Sequence, residues 1–101
     1  MADVILGVVV NASSSINEEE KIVLLAILKQ KLGVTNYMQA DDPDTFHSKP
    51  NVVAFIQKPI LSYVDWALHN HVRVMRLQSG PEGYYWEEIT EIRLVASKYP
   101  V

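Results

Sequence analysis

The chain has 101 residues, a formal net charge of -3, 49% hydrophobic and 21% charged residues and no cysteine, the profile of an ordinary globular domain. The lack of cysteine excludes disulfides, thiolate-held zinc or iron–sulfur clusters and thiol nucleophiles within this sequence. The acidic balance argues against nucleic-acid binding, which takes clustered Lys and Arg on the phosphates, and no apolar run approaches the roughly twenty residues of a membrane-spanning helix.

Residues 4–10, VILGVVV, form an apolar, mostly β-branched run, the pattern of a strand covered on both faces. Asp3 stands where a secretory leader would carry positive charge, so a cytoplasmic location is the expectation. The small polar stretch 11–17, NASSSIN, then leads into a helix expected over residues 18–32, with Gly33 closing it. Two capping signals overlap at its start, Ser15 with Glu18 and Asn17 with Glu20. Ile22, Leu25, Leu28 and Leu32 form the expected core stripe, which leaves Val23, Leu24 and Ile27 on other sides. That surplus is either covered by the C-terminal segment or forms a subunit interface, and on the second reading the protein is a homo-oligomer, most simply a two-fold dimer.

A short strand is expected over residues 34–40, and a second run apolar on both faces at residues 51–56, NVVAFI. Between them, Asp42-Pro43 reads as the cap and first residue of a single helical turn through residues 44–47. Pro59 is placed to open a second helix that buries Ile60, Leu61, Val64, Ala67 and Leu68. Residues 72–77 look like an edge-type strand, and 79–83 a turn cluster. The segment 84–99 is rich in β-branched residues, but Tyr85, Ile89, Ile92, Ala96 and Tyr99 recur at helical spacing. As a strand it would put Ile89 on one face with Glu87, Glu91 and Arg93, so it is expected to be a helix.

One α/β domain over residues 1–101 follows, and two arrangements satisfy the element order. The first is a small three-layer Rossmann-like domain with a four-stranded, mainly parallel sheet of order 2-1-3-4. The alternative is a ferredoxin-like α+β sandwich with a C-terminal helix. The link between the second and third strands decides for the parallel sheet, because hairpin loops take about two to five residues and a crossover about ten to twelve.

In a parallel sheet, ligands sit outside the carboxyl ends of the strands at the switch between the first and third. Asn11, Ser13, Ser14 and Ser15 lead there into a helix N-terminus that favours an anion, Asp41 and Asp42 stand where hydroxyls are held, and Lys58 can supply positive charge. Neither G-x-G-x-x-G nor the phosphate-loop motif is present, and simple capping and solvation are the leading account of the serines and aspartates. His69-Asn70-His71 has the spacing of two strand histidines that hold a divalent metal for phosphodiester chemistry, and it resembles the paired histidines of Rep and relaxase nucleases, a resemblance that implies Tyr84 or Tyr85 as the nucleophile. Asn70, Arg73 and the acidic net charge count against this, and a helix C-terminus explains the pair. His47 reads as a surface residue, and Asp65 as an exposed neighbour of a partly buried Trp66. Glu87, Glu88 and Glu91 read as a solvated acidic face of the last helix. No Ser-His-Asp arrangement is tied together by spacing, and no metal or cofactor is expected.

The leading expectation is a small binding or regulatory module that works through protein contacts and self-association. A protein that binds or processes a nucleotide or other phosphate-bearing small molecule at the carboxyl edge of its sheet is the alternative.

Overall fold

The computed structural model describes residues 4–10, 16–34, 36–46, 49–56 and 59–92. Its elements run β1 (Ile5–Val9), α1 (Glu18–Leu32), β2 (Asn36–Ala40), a short 3-10 helix (Pro43–Thr45), β3 (Val52–Phe55), α2 (Leu61–His69), β4 (Arg73–Gly80) and β5 (Gly83–Ile89). They form a five-stranded mixed sheet of order β2-β1-β3-β4-β5, an α/β domain.

The first four strands are parallel and lie in the order 2-1-3-4. β2 and β3 flank β1 on opposite sides, with Ile5 beside Asn36 and Leu6 beside Val52, so no hairpin joins them and the ferredoxin-like alternative fails. The long link carries the predicted single turn: Asp42 Oδ1 accepts from the Asp44 N–H at 2.9 Å, and Pro43 occupies the first helical turn. Asn51 ties the strand starts together. Its Oδ1 accepts from the Ile5 N–H at 2.8 Å, its N–H donates to the Ile5 carbonyl and its carbonyl accepts from Arg73.

The described part of the expected C-terminal helix is not helical up to Ile89. Residues 83–89 are a strand, β5, paired antiparallel with β4 from Val74–Ile89 to Gly80–Gly83. A turn at Pro81 and Glu82 reverses the chain, and Gly83 adopts φ 116, a conformation open to glycine. The objection to a strand was the charge that shares a face with Ile89. Arg76 answers it, because it sits opposite Glu87 in the register and its Nη2 donates to Glu87 Oε1 at 2.9 Å. Arg76 is fully buried, and Glu87 is part-buried. Glu88 faces the other side, where its carboxylate accepts from Arg73 Nε at 3.1 Å and Nη2 at 2.8 Å. Glu87 and Glu88 are therefore partners in two cross-strand ion pairs and not part of a helix face, and Glu91 lies exposed beyond the end of β5. Residues 93–99, the remainder of the expected helix, lie outside the described residues.

Two cores fill the sheet's faces. On one, Leu25 and Leu28 of α1 pack on Leu6, Val8, Val52, Ala54, Met75 and Leu77. On the other, Val64 and Ala67 of α2 pack on Val9, Val53, Phe55, Val74 and Ile89. Burial of such apolar area, at about 25 cal/mol per Å², is the main stabilising term. α1 begins at Asn17, whose Oδ1 accepts from the Glu20 N–H at 2.8 Å, the second of the two capping signals, and ends at Gly33 with φ 65. Its buried side is turned from the expected stripe: Ile22 is exposed, whereas Leu24 is half-buried against the core. β5 is the reason, since it extends the sheet under Leu24 and Trp86 Nε1 donates to the Leu24 carbonyl at 2.9 Å. α2 also starts later than predicted, at Leu61, with Pro59 ahead of it and Ile60 exposed at the N-cap.

Candidate functional site

The carboxyl edge of the parallel strands was the expected ligand site. Asn11, Ser13, Ser14, Ser15 and Lys58 lie outside the described residues. Asp41 and Asp42 do leave β2 at this edge, where the Val10 N–H donates to the Ala40 carbonyl at 2.9 Å. Both are exposed, but Asp42 works as a cap: its carboxylate holds the Asp44 N–H and its carbonyl accepts from the Thr45 hydroxyl at 2.7 Å. Glu18, Glu19 and Glu20 make the first turn of α1 acidic, and Asn17 already occupies the Glu20 N–H. The described part of the edge therefore presents negative side chains, which oppose an anion.

The histidine pair is a helix end, as its neighbours suggest. His69 is the last residue of α2, with Nδ1 2.8 Å from the Asp65 carbonyl and 3.5 Å from its carboxylate, and His71 lies beyond at φ 59. The two do not share a strand face, and among the described residues no three His, Cys, Asp or Glu side chains are placed to hold a metal ion.

Two surfaces stand out instead. The first is the outer side of α1, opposite its buried Leu25 and Leu28, where Ile22, Val23 and Ile27 are 64%, 59% and 52% exposed. Of the three expected interface residues, Val23 and Ile27 thus belong to one apolar stripe, and Leu24 lies inward of it. The stripe continues into a recess of about 360 Å³ lined by Glu19, Glu20, Val23, Leu24 and Tyr84. The helix is also bipolar, with three glutamates in its first turn and Lys29 and Lys31 in its last.

The second surface is a groove of about 600 Å³ between the β2–β3 link and α2. Asp42, Pro43, Asp44, Phe46, Lys49 and Pro50 form one wall, and Ile60, Ser62, Tyr63 and Trp66 the other. Gly7 sets the first wall, because a Cβ there would stand 2.7 Å from the Phe46 ring, and only a bare backbone lets that ring rest on β1. Three rings lead outward from the core: buried Phe55 meets Tyr63 edge-on at 6.3 Å, and Tyr63 meets Trp66 at 5.4 Å. Trp66 is 41% exposed, and the Lys49 ammonium lies 5.2 Å from its ring centre. Burial, followed by the Asp44 carboxylate, raises the Tyr63 phenol above its ordinary pKa. Sequence reading missed this groove because its residues come from three segments and form no motif; the adjacent Asp42-Pro43 and Trp66 were the available signals.

No protein-family model, no curated protein and no solved structure matches the chain. Among the described residues, no helix is long and apolar enough to cross a membrane.

Proposed function

We propose that the protein is a small protein-binding module that associates with a second copy of itself through the outer side of α1. The observation that carries this reading is the exposure of Ile22, Val23 and Ile27 on one side of a regular, well-capped helix, where a surface helix ordinarily presents polar residues. A second copy suits the charges. Two-fold packing of antiparallel α1 helices lays the glutamates of one first turn along Lys31 of the other last turn, with the apolar stripes in contact between them. The recess beside Tyr84 extends the contact beyond the stripe, towards the roughly 800 Å² per partner of a stable interface.

Sedimentation equilibrium tests the reading. The wild type is expected as a dimer, and the double variant Val23→Glu, Ile27→Glu as a monomer with unchanged far-UV circular dichroism. A wild type that remains monomeric at millimolar concentration defeats it.

A further inference from the structure

We propose that the groove between the β2–β3 link and α2 docks an extended, arginine-bearing segment of a partner protein, its guanidinium taking the place over Trp66 that Lys49 now holds. The groove lies on the α2 face of the sheet, away from the α1 stripe, so this inference is independent of self-association.

The chain itself shows that the exposed indole accepts a cation, since the Lys49 ammonium stands over it at 5.2 Å. An exposed contact of this kind is worth only about 0.5–1 kcal/mol, so Lys49 is a displaceable occupant. Guanidinium is the better one. It is planar and more weakly hydrated than an ammonium, stacks flat on an indole and forks to a carboxylate, whereas lysine acts as a point charge. The rim supplies the negative charge: among the described residues, Asp42 and Asp44 line the groove together with one cation, Lys49, and displacing that cation leaves the charge to be matched by the incoming arginine.

The rest of the lining selects an extended chain. Pro43, Phe46, Pro50, Ile60, Tyr63 and Trp66 present rings and an aliphatic side chain, the surface on which proline-rich segments dock by side-chain contact in a pre-formed extended conformation. The tilted contact of Tyr63 with Trp66, anchored at buried Phe55, holds the indole ready, so little order is lost on binding.

A blocked peptide with one arginine between two pairs of prolines, titrated into the isotope-labelled full chain, is the direct test. Its binding is expected to shift the resonances of the Trp66 indole and of the Phe46 and Tyr63 rings. Replacing the arginine by citrulline, or introducing Asp44→Asn, is expected to weaken binding at least 5-fold, whereas Lys49→Met tightens it several-fold by removing the internal competitor. Equal affinity for the arginine and citrulline peptides overturns the proposal, as does weaker binding by Lys49→Met. So does tetramethylammonium binding as tightly as the peptide, which would make the groove a small-cation site, or the absence of shifts at Trp66 with millimolar peptide.

Discussion

Removing the charge of Glu87 tests the reason the chain folds its last described element as a strand. The Arg76 side chain is 1% exposed and that of Glu87 28%, and they meet at 2.9 Å. Breaking a fully buried pair costs roughly 3–5 kcal/mol, and a hydrogen bond to a charged group roughly 1.5–3 kcal/mol. In Glu87→Gln the amide oxygen still accepts from the guanidinium and water reaches one side, so the expected loss is at the low end, about 2 kcal/mol. With a urea m-value of about 1.2 kcal/mol per molar, the unfolding midpoint falls by about 1.7 M. Replacing both partners, Arg76→Met with Glu87→Leu, is expected to return most of this loss, because no charge then remains in the interior. Equilibrium urea unfolding followed by circular dichroism measures all three proteins. A midpoint shift below about 0.4 M for Glu87→Gln at unchanged m, or a double variant no more stable than the single, would refute the reasoning.

Two further outcomes follow from the geometry. The Arg73 guanidinium, hydrogen-bonded to Glu88, holds that carboxyl below its ordinary pKa, so the pair's contribution is present above the usual glutamate pKa of about 4.3 and is lost as pH falls through the lower folded value. Glu88→Gln should therefore destabilise by only about 0.2–1 kcal/mol at pH 7, as partly exposed pairs do, and the difference should vanish in acid; a difference that grows on acidification contradicts the assignment. Gly7→Ala drives a methyl against the Phe46 ring and is expected to cost about 1–3 kcal/mol, with Phe46→Leu in the same chain restoring part of it; thermal unfolding showing no loss for Gly7→Ala would mean the ring moves aside freely.

Much of the fold was legible because single segments encode it. The apolar runs of β1 and β3 announce strands covered on both faces, Asn17 and Gly33 bound α1, and the long link carrying Asp42-Pro43 excludes a hairpin. What was misread depends on partners distant in sequence. Glu87 counts against a strand until Arg76 is placed opposite it, and the side of α1 that faces inward is set by β5, through Trp86 and Leu24. A sequence signal did exist: with a turn at Pro81 and Glu82, Arg76 registers directly against Glu87, and Arg73, two residues before Met75 on the same face, reaches diagonally to Glu88 opposite Met75. Neither surface was legible whole. Helical spacing marks Val23 and Ile27 as surplus but places Ile22 in the core stripe, and the groove exists only once three segments have come together.

The antiparallel edge also differs from the rest of the sheet in the length of chain that its pairing must close. β4 and β5 are joined by a turn of two residues, so their pairing closes a short loop, on the microsecond scale of hairpins. β1 finds β3 across a segment that contains α1 and β2, and pays the entropy of that long closure before any contact rewards it. The loop closed by the hairpin is thus the shortest in the sheet, so a change at its turn is expected to act on the rate of folding more than a change at the parallel pairings.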